Sequence, residues 1–122
     1  MNIDKLTKIA INEARKSPHR QRIGAVIFDK NGIVSSGYNQ VRSARSLTKK
    51  FIRWPHSIHA EIDAIIKAKV SLKNKNIIVI RLNKQGIFRL AKPCQHCQLY
   101  IEHVGITGIL YSTNEGAIKQ LL

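Results

Sequence analysis

At 122 residues with 43% hydrophobic side chains, the chain is long enough for one buried core and too short for two, so a single domain over residues 1–122 is expected. No apolar run approaches the ~18 residues needed to span a bilayer, and Met1-Asn2-Ile3-Asp4-Lys5 lacks the charged and apolar regions of a signal peptide, so the sequence predicts a cytoplasmic protein with no membrane partner. A balance of 21 Lys+Arg against 7 Asp+Glu, +14 in all, sets up a field that attracts phosphates; a genome rich in lysine codons would account for the bases but not for so few acids.

In chain order, Ile3, Leu6, Ile9, Ala10 and Ala14 recur at helical spacing between Asn2, a fitting N-cap, and the stop signal Ser17-Pro18. Ile23–Phe28 and Ile33–Tyr38 then flank Asp29-Lys30-Asn31-Gly32, which predicts an antiparallel hairpin. Asn39 follows the second strand, where an Asn often ends an element by bonding its own backbone. From Gln40 to His56 there is no periodicity, but Arg42, Arg45, Lys49, Lys50 and Arg53 alternate with Phe51 and Trp54. A loop this long in a compact domain is usually functional or disordered. Basic residues interleaved with aromatics suit phosphates and stacked bases, stacking being worth ~1–3 kcal/mol per base; the alternative for Trp54, which precedes Pro55, is to plug the edge of the core.

Ile58, Ile62, Ile65, Ile66 and Lys69 or Val70 mark a second helix that Ser57 can cap, with His59 and Glu61 in its first turn. Residues at i and i+2 do not share a helix face, so a site that uses both lies beyond the N-terminal end, where free N–H groups and partial positive charge collect. Asn76–Leu82 is nearly all apolar, as a strand covered on both faces would be. Asn83-Lys84-Gln85-Gly86 turns the chain and Ile87–Leu90 forms a short extended run. Pro93 suits the start of a helix, with Cys94 and Cys97 three apart on one face of its first turn; His96 points elsewhere, to the surface or the substrate rim, and His103 before Gly105 is a partner for the helix C-terminus. Ile106–Ser112 is a further strand, and Thr113-Asn114-Glu115 opens a short last helix ending at Leu121-Leu122. The alternation of strand and helix from residue 33 onward predicts crossover connections and neighbouring parallel strands.

The chemistry concentrates in two segments, Ser57-Ile58-His59-Ala60-Glu61 and Pro93-Cys94-Gln95-His96-Cys97. Two cysteines and a histidine make three zinc ligands, whereas a structural zinc site normally closes with four. The open position admits water, whose pKa zinc lowers from about 15.7 to about 7. Glu61, two residues after His59, can carry protons there without being a ligand. A thioredoxin-like use of the cysteines would need neither His59 nor Glu61. Taken together the segments match the pattern H-x-E…P-C-x-x-C, and the chain resembles the zinc-dependent cytidine/deoxycytidylate deaminase superfamily.

That resemblance implies one catalytic Zn2+ held by His59, Cys94 and Cys97, with Glu61 as general acid/base. It implies an α/β fold of three αβα layers around a mixed sheet, an antiparallel hairpin followed by parallel strands, about four to five in number. It adds Asn39 as a contact to the substrate sugar, and we group Ala60, Trp54 and Arg53 with it as substrate-binding residues. The implied function is hydrolytic deamination of cytosine to uracil in a deoxycytidylate/cytidine-type nucleotide or in single-stranded nucleic acid. The alternative within the superfamily is a tRNA or nucleic-acid adenosine deaminase, and outside it a non-catalytic, zinc-stabilised nucleic-acid-binding module. Cytosine is favoured because the segment around Cys97 lacks the small-residue helix associated with the tRNA adenosine enzymes. Many superfamily members continue into a fifth strand and one more helix that are not evident here, so a sheet of four core strands, or one completed in a homo-oligomer, is expected.

Overall fold

The computed structural model describes residues 2–40 and 59–121; the expectations for the basic and aromatic loop, including Arg53 and Trp54, lie outside these residues. Helix α1 spans Ile3–Ala14, with the Asn2 carboxamide oxygen accepting the Asp4 N–H at 2.7 Å. Its buried stripe, Leu6, Ala10 and Ala14, follows the i, i+4, i+8 spacing of one helix face. Strands β1 (Arg22–Asp29) and β2 (Gly32–Tyr38) form the expected hairpin, whose turn is fixed by the Asp29 carboxylate accepting the N–H groups of Asn31 and Gly32. Lys75 reaches the other oxygen of Asp29 at 2.9 Å and holds that carboxyl below its ordinary range.

Strand β3 (Asn76–Leu82) runs antiparallel to β1 and parallel to β5 (Gly108–Ser112), which puts it at the centre of a sheet ordered β2-β1-β3-β5-β6. The two-residue β4 (Phe88–Arg89) folds back on the end of β3. Because strand side chains alternate between faces, Val26, Phe28, Ile78, Ile80 and Leu82 meet α1 on one side. On the other side Ala25, Ile27, Ile77, Val79 and Ile109 pack with helices α2 (Ala60–Lys67) and α3 (Gln95–His103). This is the three-layer αβα arrangement around a mixed sheet. Fully buried side chains such as Leu6, Ile62, Ile78 and Ile101 each stabilise it by roughly 1.5–3 kcal/mol.

The C-terminal segment departs from expectation. Residues after Thr113 form a tight turn and then β6 (Ile118–Gln120), antiparallel to β5, where the sequence reading has a last helix. Thr113 donates its N–H to the Ala117 carbonyl, Gly116 donates to Thr113, and Gly116 sits at φ +83, a conformation glycine adopts freely. So short a segment does not repay helix nucleation, while the open edge of β5 offers it a full hydrogen-bonding partner. The sheet is therefore extended by the chain itself, to six strands among the described residues, slightly more than the four to five expected. Parallel pairing is also narrower than expected: β1 lies between β2 and β3, so β3 and β5 are the parallel neighbours. Among the described residues no helix is long and apolar enough to cross a membrane.

Candidate active site

Helices α2 and α3 start at the same place, on the face of the sheet opposite α1. His59 is the N-cap of α2 and Cys94 the N-cap of α3, both in extended backbone conformation and neither making a side-chain capping bond. Both helices therefore start later than the sequence reading has them: His59, and not Ser57, occupies the N-cap position of α2, and His59 and Cys94 precede their first turns. A residue at the N-cap points its side chain back past the helix end, which is how His59 and Cys94 reach a common point with Cys97, in the first turn of α3. Cys97 Sγ lies 3.3 Å from His59 Nδ1, and the donor atoms of His59, Cys94 and Cys97 all fall within 4.8 Å of one another. Tetrahedral zinc with bonds near 2.0 and 2.3 Å sets its N and S donors roughly 3.5–3.8 Å apart, so these three residues fit the ion.

The electrostatics suit the same purpose. Burial lowers the pKa of His59 and keeps its imidazole neutral, the form that ligates. Cys94 is held down to about 5, chiefly by a hydrogen bond from Cys97, while the same pairing and burial push Cys97 up. Glu61, in the first turn of α2, is buried and stands outside the three-donor cluster. Burial pushes its pKa up to about 7, and hydrogen bonds from its own backbone N–H and from Cys97 offset part of that rise.

Contacts between α2 and β2 hold this geometry. A Cβ on Gly37 would lie 2.4 Å from Ala64 N and 2.7 Å from Ala60 O, so only glycine lets the first turns of α2 lie directly on the strand. Asp63, fully buried, accepts the Tyr38 N–H at 3.1 Å and pairs with Lys67 at 2.9 Å. Ser35 donates its hydroxyl to the Ala64 carbonyl at 2.6 Å.

A pocket of about 170 Å³ opens onto His59, Glu61 and Cys94, with Ile23, Val79 and Arg81 contributed by the sheet and Lys92 by the segment before α3. Asn39 lies next to it, but not as a residue bonding its own backbone. Its carboxamide bridges to β1, accepting the Ile23 N–H at 2.9 Å and donating to the Gln21 carbonyl at 2.8 Å. Ala60 is fully buried against Gly37. His96 is half-buried in the first turn of α3, and His103 sits in its last turn with its ring edge to Tyr100 at 6.3 Å. Sequence reasoning missed Arg81 and Lys92 as pocket residues. Arg81 carried a signal, as the one charged side chain in the apolar run Asn76–Leu82.

Hydrolytic deamination needs a metal position left open to water and a proton carrier that is not itself a ligand. Among the described residues the fold brings together three zinc donors and, outside them, the buried carboxyl of Glu61, the arrangement that zinc-dependent hydrolytic deaminases use. The chain belongs to the family described as cytidine and deoxycytidylate deaminase zinc-binding region, whose profile matches residues 1–113. No curated protein sequence matches it significantly. Among solved structures, cytidine deaminase from Burkholderia pseudomallei superposes with a TM-score of 0.70 at 18% identity, covering 98% of this chain and 91% of that one. The dCMP deaminase of cyanophage S-TIM5 in its apo form gives a TM-score of 0.67 at 20% identity, covering 91% and 84%. The same phage enzyme in complex with dCMP and dUMP gives 0.58 at 17% identity, covering 91% and 82%.

Proposed function

We propose that this enzyme converts cytosine to uracil in a deoxycytidylate/cytidine-type nucleotide or in single-stranded nucleic acid, releasing ammonia. The observation that carries the reading is a buried carboxyl, Glu61, beside but outside a cluster of His59, Cys94 and Cys97 that fits zinc. Zinc bound there supplies a Lewis acid that makes water a nucleophile at neutral pH. Glu61 would take the proton the water gives up and deliver it to the ring nitrogen, then take the second proton from the hydroxyl added at the amine-bearing carbon, which becomes the carbonyl, and pass it to the amine that leaves as ammonia. A pKa of about 7 suits a group that accepts and returns a proton near neutrality. Asn39, whose carboxamide is anchored to β1 at the end of the hairpin, is assigned to the substrate sugar, and Ala60 to the substrate, by the family resemblance. Arg53 and Trp54 belong to the loop leading into His59 and are assigned to the substrate on sequence grounds.

That a fold neighbour was solved with dCMP and dUMP supports a cytosine nucleotide. The test is ammonia release from deoxycytidylate, single-stranded DNA and tRNA, each with and without a chelator. Release from tRNA adenosine alone would replace cytosine by adenine. Zinc-dependent nucleic-acid binding with no release from any substrate would leave the non-catalytic zinc module.

A further inference from the structure

Beside the zinc pocket, and sharing Arg81 and Leu90 with it, lies a second pocket of about 230 Å³ whose other lining residues are Gln21, Arg89 and Asn114. Arg81 on β3 and Arg89 on β4 are direct register partners. The next pair, Leu82 and Phe88, packs toward α1. By strand alternation Arg81 and Arg89 therefore face the other way, toward the zinc site. Side chains directly opposed in an antiparallel pair have Cβ atoms about 4.5–5.5 Å apart, and like charges in that position repel.

The fold holds this pair together firmly. The buried hydroxyl of Ser112, on β5, accepts the Arg81 N–H at 3.0 Å and donates to the Arg89 carbonyl at 2.7 Å. Asn114 accepts the Leu90 N–H at 2.8 Å, and Gln21 accepts from Arg81 Nε at 3.1 Å, which ties both ends of the pair to the surrounding fold. Two opposed guanidinium groups at the carboxyl end of a central strand, where open α/β sheets bind ligands, call for a compact dianion. A phosphate monoester, at about −1.5 to −2, matches them better than the single charge of a strand phosphodiester.

We propose that Arg81 and Arg89 form a clamp for the terminal phosphate of the substrate, making a nucleoside monophosphate, and not a free nucleoside or an internal position of a strand, the molecule this site selects. The proposal rests on the deaminase reading only for the identity of the base; the phosphate site stands or falls separately. The test uses zinc-loaded wild type, Arg89→Gln, and Lys5→Gln/Lys8→Gln, which removes charge from α1 on the opposite face. The first readout is affinity for inorganic phosphate and deoxyuridylate by calorimetry, and the second is the ratio of kcat/KM for deoxycytidylate over deoxycytidine.

Loss of one charge-assisted contact should weaken binding and lower that ratio by roughly ten- to a hundredfold in Arg89→Gln, with wild-type zinc content. The α1 variant should stay within about threefold, as expected for charges far from the ligand and screened by salt. Unchanged phosphate affinity and an unchanged ratio in Arg89→Gln would overturn the clamp. So would an equal loss in the α1 variant, which would reduce the effect to the general positive field. A loss confined to a short single strand, with deoxycytidylate unaffected, would overturn the monoester assignment. If no cytosine compound is deaminated at all, the deaminase reading fails while the inorganic phosphate titration still decides the clamp.

Discussion

Replacing Glu61 with Gln keeps the size and hydrogen-bonding shape of the side chain while removing its charge. In the folded, metal-free protein burial raises the Glu61 pKa from 4.5 to about 7. Since the folded value lies above the unfolded one, the carboxyl costs nothing below pH 4.5, its ionisation destabilises the fold progressively between pH 4.5 and about 7, and the full cost applies above that. At about 1.36 kcal/mol per pH unit this amounts to roughly 3 kcal/mol. Urea denaturation of metal-free wild type and Glu61→Gln at a series of pH values from 4 to 8 should therefore give curves that converge at the acid end and separate by about that amount at the neutral end, the variant being the more stable. Zinc should shrink the gap, because a cation beside the carboxylate stabilises its charge. The same variant, loaded with zinc, should lose about 10²–10⁴ in turnover. Parallel stability curves would refute the claim that Glu61 is buried as a costly charge, and full turnover would refute its role as proton carrier.

Cys97→Ser should lose zinc affinity by more than the ~10–100-fold typical of removing an outer-shell partner, and lose turnover with it; metal analysis after dialysis against a competing chelator measures this. Gly37→Ala should displace the first turns of α2 from β2, because the new Cβ meets Ala64 N and Ala60 O well inside contact distance; reduced zinc affinity together with a lowered unfolding midpoint is expected, and wild-type values for both would show that the strand does not hold the helix in place. Asp63→Ala leaves the part-buried Tyr38 N–H without its acceptor and the half-exposed Lys67 without its partner, a change that should cost about 1–3 kcal/mol in chemical denaturation, chiefly through the lost hydrogen bond to a buried carboxylate.

What was legible in the sequence follows from how each feature is encoded. Asn76–Leu82 declares itself a central strand because both of its faces are covered and nearly every residue is apolar. His59, Cys94, Cys97 and Glu61 declare themselves by residue type and spacing, since few other arrangements give a zinc site one short of closure with a carboxylate at hand. The last strand did not, because Ile118–Gln120 is three residues long with Lys119 and Gln120 exposed, and its state is decided by the edge of β5 and the turn at Gly116. Nothing in the local pattern singles out Asp63; its burial depends on β2, some 25 residues earlier. The Arg81–Arg89 pair is a matter of register, and a two-residue strand sets no register that local pattern alone would show.

We propose that deamination by this chain depends on one zinc held by His59, Cys94 and Cys97. The most direct measurement is to add zinc in steps to the metal-free protein and follow ammonia release from deoxycytidylate. The rate should rise in proportion to added zinc and level off at one equivalent per chain. Ammonia release at full rate without zinc, or one tightly bound zinc with no release from deoxycytidylate, single-stranded DNA or tRNA, would contradict it.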